Sequence, residues 1–195
     1  MATARTSHAD SRLPQVLDEA ARLFRTRGFD GTSVRDIARA VGMLPGSLYC
    51  HFQTKEALLV AVYVKGVQQI TDAVRSAMER HEDPWDRLEA ACIAHLEAIL
   101  RDDDYAQVVV RVRPADVPVV DRSLAELRNQ YEALFTGLIR DLPLSRNTDR
   151  RVLRLMLMGA LNWSQTWYRP DGRFNPRAIA RKFIALVRQG QEETA

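Results

Sequence analysis

Apolar residues recur at helical spacing along most of the chain. Val16, Leu17, Ala20, Leu23 and Phe24 form one stripe between about Leu13 and Arg27, the spacing of an amphipathic helix. Gly28 is placed to end it as a left-handed cap, with Phe29 folding back onto the last turn. Ile37, Ala38 and Val41 share the next apolar face. Thr32 or Ser33 can cap that helix, and Asp36 stands three residues after Ser33 in the manner of a capping box. Gly42 falls where a tight turn calls for positive φ. Pro45 suits the first turn of a following helix, where its missing N–H would have had no partner. Leu48 and Phe52 then face inward, leaving Gly46, Ser47, Tyr49 and His51 outward with Lys55 just beyond.

From Lys55 to about Glu79, the residues Leu58, Leu59, Val62, Tyr63, Ile70, Val74 and Met78 trace one long helix, which Asp83-Pro84 interrupts. Another helix carries Trp85, Leu88, Ala91, Cys92, His95, Leu96 and Ile99. Asp102, Asp103 and Asp104 precede a further apolar segment, where aspartate caps a helix and complements its dipole. Tyr105–Val112 is rich in valine and has strand propensity, yet nothing else in the chain offers it a partner strand, so helix is expected. Pro114 and Pro118 bracket a turn before the stripe Leu124, Leu127, Tyr131, Leu134, Phe135, Leu138 and Ile139. The run VLRLMLMGA, Val152 to Ala160, is apolar nearly all round: one face should meet the protein's own core and another a second copy of the chain. Pro170 closes that helix, and Asn175-Pro176 opens a last one with Ile179, Phe183, Leu186 and Val187 along one edge. The expectation is an all-α protein.

The 195 residues are 46% hydrophobic, enough to bury a substantial core. The net charge of +3 is unevenly placed: residues 1–65 hold 9 Lys and Arg against 6 Asp and Glu, and the remainder 19 against 19. The excess sits where phosphate contact is expected. Two cysteines, Cys50 and Cys92, suggest neither a disulfide framework nor a zinc site, and a reducing cytoplasm fits. Neither a membrane span nor a secretory signal is expected. The polar start of the chain, with Arg5 and Arg12, reads as a loose arm. No HExxH, GxSxG, Walker A or GxGxxG pattern occurs, so an enzyme is not expected. His95, on a mostly apolar helix, reads as a satisfied core histidine.

The paired short helices from Thr32 to Lys55, TSVRDIARAVGMLPGSLYCHFQTK, have the layout that carries a helix into the DNA major groove. Residues 12 to 64, including LDEAARLFRTRGFDGTSVRDIARAVGMLPGSLYCHFQTKEALL, resemble the DNA-binding domain of TetR-family transcriptional regulators. Leu44 and Cys50 depart from residues common in that family. The resemblance implies a three-helix helix-turn-helix domain over residues 11–56. A long helix would join it to a larger helical ligand-binding and dimerisation domain over 57–195. It implies base contacts from Pro45, Gly46 and Ser47, with Thr32, Ser33, Arg35, Tyr49, His51 and Lys55 around them on the DNA-binding surface. The partners implied are double-stranded DNA with an inverted-repeat operator and a second copy bound through the last two helices. Two reading helices would then lie about 34–36 Å apart.

The segment NWSQTWYRPDGRFNP, residues 162–176, resembles a subset of the family that responds to acyl-CoA thioesters. It implies no cofactor but a small-molecule effector. Trp163, Trp167 and Tyr168 could wall an acyl cavity, and Tyr105 is placed with them. Arg146, Arg150 and Arg154 recur every four residues, suited to phosphates on one helix face; a solvated basic face is the plainer reading. A ligand-released repressor is the expected function. The alternatives are an activator or ligand-independent regulator of the same fold, and a helical enzyme or carrier.

Overall fold

The computed structural model describes residues 12–192; the polar arm with Arg5 lies outside them. Its described residues form nine α-helices and one short 3-10 turn, without strands. They are α1 Leu13–Arg27, α2 Val34–Ala40, α3 Pro45–Tyr49, α4 Lys55–Met78, α5 Pro84–Ile99, α6 Asp104–Arg111, α7 Asp121–Arg140, α8 Arg150–Trp167 and α9 Pro176–Glu192. The chain packs as two units. One holds the residues up to Val67 together with Asp103–Leu127; the other holds Gln68–Asp102 and the chain from Arg128 onward. Helices α4 and α7 therefore each run from one unit into the other.

In the first unit, local chemistry sets the helix ends. Ser33 is the N-cap of α2: its hydroxyl accepts from the Asp36 N–H at 3.2 Å and its own N–H donates to Asp36 Oδ2 at 3.1 Å. Gly42 takes φ +64° between α2 and α3, as a tight turn requires. Gly28 also has positive φ, +75°, but with ψ 169° it is extended rather than left-handed helical. Phe29 still folds back, its ring 5.7 Å from that of Phe24. The core joins Val16, Ala20 and Phe24 of α1, Ile37 and Ala38 of α2, Leu48 of α3, Leu58, Leu59, Val62 and Tyr63 of α4, and Tyr105 and Val108 of α6.

Helix α6 forms against its valine content because Asp103 caps it, accepting from the Ala106 N–H at 2.9 Å, and because its buried face has a place to go. It packs along α1 and crosses α4 closely at Gly66. A Cβ there would lie 2.7 Å from Val109 Cγ2 and 2.8 Å from the Tyr105 carbonyl oxygen.

In the second unit α5 packs against α8 and α9, and Asp83 caps α5. Leu88, Cys92, Leu96, Phe135, Ile139, Leu157, Leu161, Ile179 and Ile184 are buried. Helix α4 is long and apolar enough by composition to cross a bilayer, but Leu58, Leu59, Val62, Tyr63, Ile70 and Val74 spend its apolar surface inside the fold.

Helix propensity favours Gly66→Ala by about 1 kcal/mol, whereas overpacking costs about 1–3 kcal/mol. The Tyr105 carbonyl is backbone and cannot rotate aside, so the clash should win. Urea denaturation should show a less stable Gly66→Ala protein; equal or greater stability would contradict the close crossing.

Candidate nucleic-acid interface

Helix α3 stands at the surface with Leu48 as its buried anchor. Pro45 is half-buried, and Gly46, Ser47 and Tyr49 are exposed. Beside it opens a cleft of about 480 Å³ lined by Ser33, Asp36, Tyr49, Gln53, Thr54 and Lys55 among others. Thr54 caps α4, its hydroxyl accepting from the Ala57 N–H at 3.0 Å. The positive end of a long helix dipole, the Lys55 ammonium and the Tyr49 hydroxyl thus meet around one opening, an arrangement suited to a phosphate, although the Asp30 and Asp36 carboxylates also line it and the Ser33 hydroxyl donates to Asp36.

The expected residues are not equally available. Ser33 and Arg35 are exposed, and His51 is half-buried. Lys55 donates to the Phe29 carbonyl at 2.8 Å and lies 4.0 Å from that ring's centre, which fixes one of its three donors and orients the rest. Thr32 differs from expectation. It is buried, and its hydroxyl donates to the carbonyls of Gly28 at 2.8 Å and Leu23 at 3.2 Å, tying the α1–α2 turn instead of facing outward.

The residues expected to line an effector cavity do not come together. Tyr105 belongs to the first unit: its hydroxyl donates to Asp18 at 2.6 Å and accepts from Lys65 at 2.8 Å. Those bonds hold the Asp18 carboxyl below the usual carboxylate range, Tyr105 contributing most and Lys65 less. In the second unit, Trp163 and Trp167 are 67% and 47% exposed. They continue an outward stripe with Val152, Met156 and Gly159, so the aromatic wall faces away from the unit's core. Tyr168 is the C-cap of α8, its N–H on the Ser164 carbonyl. The arginine ladder also breaks. Asp149 caps α8, which leaves Arg146 ahead of the helix; Arg150 points to the Leu142 carbonyl and Arg154 pairs with Glu132.

One buried polar group, read from the sequence as a satisfied core histidine, has its partner on a distant helix. His95 Nδ1 lies 2.6 Å from the Tyr131 hydroxyl, and Phe135 packs edge-on against both rings. Burial raises the Tyr131 pKa and pushes His95 down to about 4, so an imidazole neutral at pH 7 shares one hydrogen bond with a protonated phenol, its direction set by the ring tautomer. The other ring nitrogen, Nε2, is buried without a hydrogen bond of ordinary geometry, and the Asn162 side chain beside the ring partly offsets the effect of burial on its pKa. Among the described residues no cluster of His, Cys, Asp or Glu could hold a metal ion.

Two family profiles match. Bacterial regulatory proteins of the tetR family cover residues 16–62, and the tetracyclin repressor-like C-terminal domain covers 81–191. The chain belongs to the TetR family. It is similar to the HTH-type transcriptional repressor KstR2 of Rhodococcus jostii (strain RHA1), 29% identical over 192 residues, 95% of this chain and 93% of the relative. Among solved structures it resembles AibR in complex with isovaleryl coenzyme A and operator DNA, with TM-score 0.76, 25% identity, and 90% and 97% of the two chains covered. The ketosteroid regulator KstR2 of Mycobacterium tuberculosis gives TM-score 0.70 and 25% identity, covering 92% and 94%. As a TetR-family protein, this chain is a DNA-binding transcriptional regulator.

The depressed His95 pKa makes this regulator's stability depend on pH. The unfolded imidazole titrates near 6.5 and the folded one near 4, so on acidification the unfolded state takes up its proton first. The contribution is present in full above pH 6.5 and falls away toward pH 4. Linkage gives a loss of about 2 kcal/mol between pH 7 and pH 5. Urea denaturation at the two pH values should show that loss in the wild type and a smaller one in His95→Gln. Equal pH dependence in both would contradict the assignment.

Proposed function

We propose that the protein is a homodimeric repressor whose grip on an inverted-repeat operator is released by an acyl-CoA thioester. The observation that carries this reading is its similarity, across nine-tenths of its length, to AibR, a regulator solved with both an acyl-CoA and operator DNA. Ser47 and the open backbone at Gly46, beside Pro45, approach base edges in the major groove. Ser33, Arg35, Tyr49, His51 and Lys55 take phosphates and set the register. Thr32 is left out, because its hydroxyl is spent inside the turn.

The second copy covers the outward stripe of α8, with Val152, Met156, Trp163 and Trp167, and Leu186 of α9, all of them large apolar residues exposed in a single chain. This reassigns the tryptophans from an acyl wall to the subunit interface. The effector belongs to the second unit. Since a ligand shifts an equilibrium only by its differential affinity, the acyl-CoA must fit the DNA-incompetent form better. The operator must in turn weaken acyl-CoA binding by the same factor. Cytoplasmic location follows from a DNA target.

Operator fragments selected from genomic DNA provide the test. Titrating a short acyl-CoA such as isovaleryl-CoA, and longer homologues, should weaken operator affinity at least tenfold for some acyl length, while free coenzyme A should not. Affinity unchanged by every thioester would favour an effector-independent regulator. For the interface, Met156→Glu combined with Trp163→Glu should convert a micromolar dimer to monomer in analytical ultracentrifugation and abolish tight operator binding. A dimer that survives both charges would contradict the assigned face.

A further inference from the structure

The outward surface of α3 carries two hydroxyls, those of Ser47 and Tyr49, and no other hydrogen-bonding side chain. Leu44, immediately before Pro45, is 77% exposed and makes no side-chain capping bond. Ser, Thr, Asp or Asn at that place would stabilise the helix by about 1 kcal/mol, and nothing in the core uses the leucine. Gly46 is equally unexplained by the fold. Its φ is not positive, an added Cβ would meet nothing within 4 Å, and alanine would suit a helix better. Both residues forgo local stability, and both shape what a base pair would meet: a flat notch at Gly46 with an apolar side chain at its edge.

In the major groove the bases offer one apolar group of any bulk, the C5 methyl of thymine; cytosine presents a bare C5–H there, and the other recognition groups are hydrogen-bond donors or acceptors. An exposed leucine gains nothing from those polar edges and loses hydration free energy against them. Against a methyl group it gains the burial of both surfaces. We infer that Leu44 is a base-reading residue that selects thymine at one position of each operator half-site through its 5-methyl group, with Gly46 leaving the room for close approach. The inference rests on the DNA-binding reading and adds a specificity that Ser47, Tyr49 and the phosphate-binding groups do not supply.

Deoxyuridine differs from thymidine only by that methyl, so it is the probe. The shortest genomic fragment that binds the full-length protein specifically is synthesised with each symmetry-related pair of thymines replaced in turn by deoxyuridine. Affinities are measured by fluorescence anisotropy at one salt concentration. Burial of a methyl corresponds to about fourfold, so one pair, counted over two half-sites, should lower wild-type affinity about fifteenfold. Leu44→Ala should bind the thymine and deoxyuridine forms of that site equally within twofold; unchanged thermal unfolding would show that it is folded. The inference is overturned if the wild type binds the natural fragment specifically and tolerates every replacement. It is also overturned if the loss persists undiminished in Leu44→Ala. Enrichment of no fragment would overturn the DNA-binding reading and this inference with it, an outcome distinct from the other two.

Discussion

A single hydroxyl group, that of Tyr105, joins three helices of the reading unit. It donates to Asp18 on α1 and accepts from Lys65 on α4, and Lys65 also reaches Asp18 directly at 3.0 Å. The residue before Tyr105, Asp104, pairs with Arg25 of α1 at 2.8 Å. Hydrogen bonds to charged partners are worth about 1.5–3 kcal/mol when buried; Asp18 is exposed, so solvent screening brings these nearer to exposed ion pairs. Here they supplement an apolar seam that runs through Val16, Ala20, Tyr63 and Val108. Burial holds α6 in place; the polar network decides its register along α1.

Two segments of the chain are continuous from one unit into the other. Residues 103–127 pack with the helix-turn-helix, yet they are joined through residues 100–102 to α5, which carries His95. Helix α4 is likewise shared, its first half buried among α1 to α3 and α6 and its second half belonging to the other unit.

What could be read from sequence was local. The Ser33–Asp36 box, the positive φ at Gly42, the proline start of α3 and the aspartate cap of α6 each depend on neighbours within a few residues. The family resemblance then supplied the helix-turn-helix as a whole. What could not be read was long-range or depended on helical phase. Thr32 and Ser33 are chemically similar, and only the nearness of the Gly28 and Leu23 carbonyls turns one inward. Tyr105 looked like a cavity aromatic because its partners Asp18 and Lys65 are far away in sequence. In α8 the apolar run VLRLMLMGA carries no phase, so nothing local said that Trp163 and Trp167 would follow the outward stripe. Arg146 was counted with Arg150 and Arg154 because Asn147-Thr148-Asp149 was not taken as a helix start, although aspartate there is a capping signal. Half of the His95 environment was hidden for the same reason as Tyr105: its partner Tyr131 comes from another helix.

Hydrogen exchange on the full-length protein tests the central claim, that α6 and α1 open as one unit held by the Tyr105 hydroxyl. Amides of both helices should exchange through a common opening, and Tyr105→Phe should accelerate both by about tenfold, because the loss of its two hydrogen bonds is partly offset by water at exposed Asp18 and by the direct Lys65–Asp18 pair that remains. Acceleration confined to α6, with α1 unchanged, would contradict the account.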